Sequence, residues 1–286
     1  AGVGAALRKS EPNFSKLAKE WNAWRTLIKP MLRATAPSAP AIPSGGTSPS
    51  SGLRYGVVNG RIFSPFDAHR SSPQYTGYHL GIDVAPYGGK IKGADDPRRG
   101  WPVYFTPKLS LTKNELDTAK IATKKEGPIT RGLNVPSRGN AVLEEAQIIR
   151  RGFYKEKNIA YGSYVGIACV YAYPKVDGTT GRFTLYIEYL HLITKDTLPV
   201  INHSGATVSM AEWVAAGKSN KMGFGPRMTP KTTFSRQELA SASASPLVGY
   251  MGATVAPHVH IQVAFSHGVV KKYVRIPRVD PTVAIN

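Results

Sequence analysis

Two short motifs, far apart in the chain, most constrain what this sequence can fold into. His79 and Asp83 stand four residues apart in His-Leu-Gly-Ile-Asp, and His258 and His260 stand two apart in His-Val-His. Side chains two residues apart on a strand point to the same face, so the second motif predicts two histidines on one face. Catalytic zinc sites use three His, Asp or Glu ligands and leave one position open. The two motifs together therefore suit a catalytic zinc ion.

The composition favours a globular protein with an acidic partner. The chain has 286 residues, of which 42% are hydrophobic, enough for one large domain with additions or for two small domains. It carries 37 Lys+Arg against 18 Asp+Glu, a net charge of +19. This excess favours nucleic acid, anionic lipid or an acidic cell-wall polymer, and charge alone does not choose among them. No apolar run approaches about 18 residues, so we expect no membrane span.

The chain divides by composition into three zones. Residues 13–33 predict an amphipathic helix, whose apolar positions at helical spacing are Phe14, Leu17, Trp21, Trp24 and Ile28. Residues 34–52 are uncharged and rich in Pro, Ser and Gly, which is typical of a linker. Residues 53–286 are predicted to form a globular domain with inserts at about 107–160 and 195–246. Cys169, the only cysteine, lies in an apolar run and is predicted to be a core residue.

The globular domain is predicted to be mainly β, of the α+β type, with helical insertions. Short β-rich runs are found at 101–105, 162–173, 182–191, 247–251, 257–265 and 269–276. Three capping boxes predict helices that begin at Thr112, Ser209 and Ser235, because each is followed three residues later by Glu. Residues 140–151 are predicted as a further helix that ends at Gly152.

Three regions, in order along the chain, carry a family resemblance. The first holds Ser64-Pro-Phe, His79-x-Gly-x-Asp83 and Trp101-Pro-Val-Tyr-Phe. The second runs from Tyr161-Gly-Ser-Tyr-Val-Gly-Ile to Tyr189-Leu-His191-Leu. The third holds Gly249-Tyr-Met-Gly and Pro257-His258-Val-His260. In content and order they resemble the lysostaphin-type (LytM-type) zinc endopeptidases, which cut cross-links or stem peptides of bacterial peptidoglycan. The resemblance covers residues 62–106 and 161–283, with gaps.

The resemblance implies a site and a reaction. It implies an antiparallel β-sheet groove and one zinc ion per chain, held by His79, Asp83 and His260. His191 and His258 would then be the two catalytic histidines, and which of them is the base stays open. A histidine titrates near neutrality, so it can take a proton from water or donate one to the leaving amine.

The chain departs from the family's pattern in its spacing. More residues separate Asp83 from His191, and His191 from His258, than the compact members need. The inserts account for this surplus, and we expect them to wall the substrate groove or to bind a neighbour. The identity of the bond that is cut therefore does not follow from the resemblance. The remaining histidines, His69, His203 and His267, are predicted to be loop or surface residues.

The sequence also allows functions other than that of a peptidase. The alternative is a non-catalytic peptidase-like module that binds cell wall or activates another hydrolase, although such relatives typically lose ligands. Nucleic-acid binding is disfavoured because no helix-turn-helix, zinc-finger or aromatic RNA-binding signature is present. We expect residues 1–52 to attach the enzyme to a larger assembly, with a phage tail that acts on the bacterial envelope as the best candidate. A basic helix with two tryptophans also suits a membrane surface, and a secreted or periplasmic bacterial protein is the alternative location.

Overall fold

The computed structural model describes residues 52–72, 75–86, 100–156, 159–192, 200–201, 207–208, 224–225, 227–241, 245–252, 257–266 and 277–286. Four predicted features lie outside these residues: the helix at 13–33, the linker apart from its last residue, the helix beginning at Ser209, and the strand at 269–276. Among the residues described, no helix is long and apolar enough to span a membrane.

Strands dominate this part of the chain, and the pairings between them are antiparallel. The strands are β1 (Leu53–Arg54), β2 (Val57–Val58), β3 (Gly60–Ser64), β4 (His69–Ser72), β5 (Tyr75–Tyr78), β6 (Ile82–Pro86), β7 (Pro102–Tyr104), β8 (Ser110–Leu111), β9 (Lys120–Thr123), β10 (Gly127–Arg131), β11 (Ala141–Glu156), β12 (Ile159–Pro174), β13 (Thr180–Leu192), β14 (Val200–Ile201), β15 (Thr207–Val208), β16 (Thr233–Ser235), β17 (Leu247–Tyr250), β18 (Val259–Ser266) and β19 (Arg278–Val279). The helices are α1 (Lys113–Thr118), α2 (Arg236–Ala240) and a 3-10 turn at Pro281–Val283.

The mainly β prediction is confirmed. One large sheet runs in the order β10-β9-β19-β18-β13-β12-β11-β16, with β6 on the other part of β18 and β3 beyond β6. A smaller sheet has the order β1-β2-β7-β17. The long strands β12 and β13 contain the predicted β-rich runs 162–173 and 182–191. The segment 107–160, predicted as an insert, supplies strands β8 to β11 and only one short helix.

The large sheet has one face in the core and a second, less buried face. Alternate residues of β12 and β13 are fully buried; they are Val165, Ile167, Cys169, Tyr171, Leu185, Ile187 and Tyr189. The residues between them include the half-buried Tyr164, Tyr186 and Leu190, which share their face with His260 and Gln262 of β18. We call this second surface the open face. It follows that every side chain of the candidate site on these strands must reach the open face.

The helix predicted for residues 140–151 is wrong: these residues begin β11, which pairs with β12 along its length. The segment is rich in helix-forming Ala, Leu, Glu and Gln, but pairing and burial in a sheet override such propensities. A β-bulge between Leu143 and Glu145 also places the buried Ala146 three positions after the buried Leu143. That spacing resembles a helical turn and hides the two-residue period of a strand.

Both helices predicted from capping boxes within the described residues are confirmed. The Thr112 hydroxyl accepts a hydrogen bond from the backbone N–H of Glu115, and the Glu115 carboxylate accepts one from the N–H of Thr112. At the start of α2 the Ser235 hydroxyl accepts from the N–H of Glu238. Each helix is short, which is consistent with a sheet that carries small helical additions.

Candidate metal centre

The candidate site begins with two strands that place a carboxylate opposite a histidine. In the antiparallel pairing of β6 with β18, Asp83 lies directly opposite His260. On its other side β6 pairs with β3, where Ser64 lies opposite Asp83. His260 in turn lies opposite Leu190 of β13. The register of these three strand pairs thus places the His258-x-His260 motif beside the His79-x-x-x-Asp83 motif.

Three donor atoms converge, two from these strands and one from His79 in the loop before β6. His260 Nδ1 lies 2.8 Å from Asp83 Oδ1 and 3.0 Å from His79 Nε2, and His79 Nε2 lies 3.3 Å from Asp83 Oδ1. Ligand atoms about 2.0–2.1 Å from one tetrahedral ion lie about 3.3 Å apart by geometry, so the observed spacing is close to that of a zinc site. His79 and Asp83 are buried and His260 is half-buried. The three residues that the sequence predicts as metal ligands therefore form one group that can hold a metal ion.

The environment of His79 fixes which nitrogen faces the group. His79 Nδ1 lies 3.0 Å from the backbone carbonyl oxygen of Pro65, which only accepts hydrogen bonds. The proton of the neutral ring must therefore sit on Nδ1, which leaves Nε2 with a lone pair directed at His260 and Asp83. Metal-binding histidines usually donate their second ring N–H to a carbonyl or carboxylate in this way.

The three converging atoms offer too few N–H donors to satisfy one another, and this favours a bound cation among them. His79 Nε2 and Asp83 Oδ1 both act as acceptors, and both lie within hydrogen-bond distance of His260 Nδ1. One N–H of a neutral imidazole serves a single acceptor well, whereas a shared metal ion satisfies all three donor atoms at once. The arrangement is therefore better explained as a ligand set than as a hydrogen-bonded cluster.

Gly81 lets the loop between the first two ligands approach His260. A Cβ atom on Gly81 would lie 2.4 Å from the carbonyl oxygen of Ile261 and 2.6 Å from Nε2 of His260. Both distances are too short for any side chain, so only glycine fits here. The spacing His79-x-Gly81-x-Asp83 thus has a steric cause.

Asp83 is buried but stays ionised. Burial acts to raise its pKa, but the hydrogen bond from His260, with the charges that His260 and His258 carry when protonated, holds the pKa of Asp83 well below its usual range. Arg70 also donates from Nη2 to Asp83 Oδ2, at 2.5 Å. A permanently charged carboxylate is the form that a metal ion requires.

His191 reaches the site through an unusual backbone conformation. It has a φ of 62°, in the left-handed region that residues other than glycine adopt uncommonly. The neighbouring odd-numbered residues of β13 point into the core, and the change in backbone direction instead sets the His191 ring 4.7 Å from His258 and 5.9 Å from His260. Such strain is typical of functional positions.

His258 completes the cluster of histidines. It immediately precedes β18, and its Nε2 lies 3.8 Å from Asp83 Oδ1, farther than the three donor atoms are from one another. The Phe63 ring meets the His258 ring edge-on at 5.6 Å, and Phe63 is 45% exposed. The two histidines predicted as catalytic are thus together, beside the candidate ligands rather than among them.

A row of polar residues crosses the open face one pleat away from His260. Arg150 Nη2 donates to Glu188 Oε1 at 2.5 Å, and Gln262 Nε2 donates to Glu188 Oε2 at 2.5 Å. The Arg150 side chain crosses β12 at Gly166, where a Cβ would lie 2.9 Å from Arg150 Cγ. Glu188 is buried, so these bonds compensate for its lost hydration.

The structure brings together the five residues that the sequence motifs predict for the site. His69 is exposed, as predicted, while His203 and His267 lie outside the described residues. The contact of Arg70 with Asp83 was missed. Its only signal would have been a basic residue between the Ser64 and His79 motifs, which has no fixed spacing.

Comparison of the chain with protein-family models, with curated proteins and with solved structures finds no match.

Proposed function

We propose that this chain is a zinc-dependent endopeptidase of the lysostaphin type that hydrolyses peptide bonds in bacterial peptidoglycan. The observation that carries the proposal is the convergence of His79, Asp83 and His260 beside two further histidine rings. The sequence motifs that resemble the family contain these same five residues. A chance cluster of buried histidines would have no reason to follow that pattern.

The donor set favours zinc over the other common divalent ions. Two imidazole nitrogens and one carboxylate suit zinc, whereas magnesium and calcium prefer sites made of oxygen. Three protein ligands are the number found in catalytic zinc sites, which keep a position for water or substrate. A bound zinc ion would supply Lewis acidity, polarising the scissile carbonyl and lowering the pKa of water.

His191 and His258 supply the proton transfers. Their rings contact each other, and neither belongs to the group of three donor atoms. One imidazole takes a proton from the attacking water, and the leaving amine must receive a proton when the peptide bond breaks. An imidazole N–H can also donate to the oxyanion of the tetrahedral intermediate. The assignment of base and oxyanion donor to the two residues stays open.

Peptidoglycan as substrate is supported by the family resemblance and by charge. The net charge of +19 attracts acidic cell-wall polymers and would hold the enzyme on its substrate. The open face beside the candidate centre offers an accessible surface for a peptide. All five site residues are present, which favours an enzyme over a binding or activator module.

We further propose that residues 1–52 attach the enzyme to a larger protein assembly, with a phage tail acting on the bacterial envelope as the leading candidate. The support is the sequence of this region, which combines an aromatic, basic segment with a Pro- and Ser-rich stretch. Deletion of residues 1–52 should abolish incorporation into the assembly and spare peptidase activity. Unchanged incorporation, or a secreted free enzyme, would contradict this part.

The test of the activity uses purified sacculi. The full chain should contain one zinc ion per molecule by elemental mass spectrometry and should release muropeptides whose masses identify the cut bond. Asp83→Ala and His191→Ala should release none, while Arg182→Ala should match the wild type. Metal-free protein without turnover, or unchanged products from the first two variants, would contradict the proposal.

A further inference from the structure

Arg70 binds one carboxylate oxygen of Asp83, and the other oxygen faces the two candidate histidine ligands. Its Nη2 donates to Oδ2 of Asp83 at 2.5 Å, while Oδ1 of the same carboxylate faces His260 and His79. The same guanidinium nitrogen donates to the hydroxyl of Ser64. Ser64 Oγ lies 3.3 Å from His79 Nδ1, the ring atom on the far side from the donor group. Arg70 therefore contacts the candidate ligand Asp83 directly and the candidate ligand His79 through Ser64.

We propose that Arg70 is a positioning residue of the metal centre. By occupying Oδ2 it presents Asp83 to the ion through Oδ1 alone, and through Ser64 it restrains the ring of His79. The inference rests on the proposed metal site, but it does not depend on which bond the enzyme cuts.

The chemical reason lies in how carboxylates bind metals. A carboxylate can coordinate through one oxygen or through both, and a second bound oxygen would fill the position that a catalytic site keeps open. A charge-assisted hydrogen bond to Oδ2 is strong enough to hold the carboxylate plane in one orientation. The buried position of Asp83 strengthens this bond, because little water competes for Oδ2.

Two effects of Arg70 on metal affinity oppose each other. Its positive charge repels a cation, whereas its hydrogen bonds pre-orient two ligands. The Arg70 side chain is 35% exposed, so solvent screens its charge, while the orienting contacts are local and unscreened. Orientation should therefore outweigh repulsion, and loss of Arg70 should weaken metal binding.

The experiment measures metal affinity directly. Full-length protein is stripped of metal, and the Kd for Zn²⁺ is obtained by competition with a chromogenic chelator. Arg70→Ala should raise the Kd by about 10- to 100-fold, the usual effect of losing an outer partner of a ligand. Arg70→Lys, which keeps a cationic donor, should recover most of the affinity, and Arg70→Gln should be intermediate. Arg182→Ala removes an exposed Arg–carboxylate pair at Glu144 and should leave the Kd unchanged.

A second readout separates positioning from general stability. The visible absorption of Co²⁺-loaded protein depends on coordination number, so Arg70→Ala should lose intensity if Asp83 rotates to bind through both oxygens. Circular dichroism confirms that each variant is folded. An Arg70→Ala protein that binds Zn²⁺ as tightly as the wild type, with an unchanged Co²⁺ spectrum, overturns the inference, as does a wild-type chain that binds no metal. Metal binding that responds to Arg70 in a chain without activity on sacculi would instead overturn only the peptidase proposal.

Discussion

Asp83 and His260 face each other across β6 and β18, with Oδ1 of the first 2.8 Å from Nδ1 of the second, although 177 residues separate them in the sequence. The candidate centre is therefore a product of strand register. A slip of one residue between these strands would turn His260 towards the core and replace it with Val259 or Ile261.

Metal removal should lower the stability of the folded chain. A ligand that binds only the native state stabilises it by about 4 kcal/mol when its free concentration exceeds the Kd about 1,000-fold. For a domain of this size, zinc should therefore raise the Tm by on the order of 10 °C relative to protein in a strong chelator. Thermal unfolding measures this shift. The shift should vanish in His260→Ala and persist in Arg182→Ala; a shift retained in His260→Ala would place the ion elsewhere.

Glycine should be better tolerated than alanine at position 191. His191 has a φ of 62°, which costs a residue with a Cβ about 1–2 kcal/mol relative to glycine. His191→Gly should therefore be about 1 kcal/mol more stable than His191→Ala in urea unfolding, while both lose activity. Equal stabilities would mean that the backbone at this position is not held in the left-handed region.

Gly81→Ala should damage the centre without touching a ligand. The added Cβ would lie 2.4 Å from the carbonyl oxygen of Ile261, so the backbone must shift. We expect a loss of about 1–3 kcal/mol in the free energy of unfolding, as for an overpacked core, together with weaker zinc binding. Gly139→Ala is the matched control, because there the nearest atom is a side-chain carbon of Pro174 at 3.3 Å. Equal effects from the two substitutions would contradict the steric account.

Two Arg–carboxylate pairs that cross β12 should differ in their value to stability. Arg150→Ala removes the charged donor to the buried Glu188, leaves it the hydrogen bond from Gln262, and should cost about 1–3 kcal/mol. Arg182→Ala breaks the exposed pair with Glu144 and should leave the free energy of unfolding unchanged within measurement error. Urea unfolding of both variants tests the contrast, which fails if Arg182→Ala is the more destabilising.

The thiol of Cys169 should not react with thiol reagents in the native protein. It is fully buried in β12, and this burial raises the pKa of its thiol, so the reactive thiolate is not formed near neutral pH. Ellman's reagent should therefore label one thiol per chain in denaturant and none in the folded state. Rapid labelling of folded protein would show that this strand opens readily.

The parts of the fold that were predicted correctly are those with strong local signals. The β-rich runs at 162–173 and 182–191 indicate strands by their aromatic and β-branched residues, and the capping boxes at Thr112 and Ser235 specify helix starts by local hydrogen bonds. Residues 140–151 failed because a strand with bulges no longer shows a two-residue period. Pairing with β12, which local sequence does not reveal, decides its structure.

In the candidate site, too, the features with a sequence motif were predicted and those that depend on the fold were not. His79, Asp83 and His260 were predictable because their motifs resemble those of a known family. The left-handed backbone of His191 was not, because a positive φ is uncommon at any residue other than glycine, so a histidine in a β-rich run does not specify it. The contact between Arg70 and Asp83 depends on how the β4–β5 hairpin lies beside β6, and no spacing rule encodes that placement.

The order of the strands along the chain also determines the point in translation at which the candidate metal centre can form. The chain carries His79 and Asp83 long before β18 is translated, and β6 has no β18 to pair with until then. A ribosome that stops early therefore releases a product with two candidate ligands and an incomplete sheet. If the chain is a wall-degrading enzyme, the cell that makes it meets a competent molecule only after His260 has been translated, because copies that stop before this residue lack the third candidate ligand.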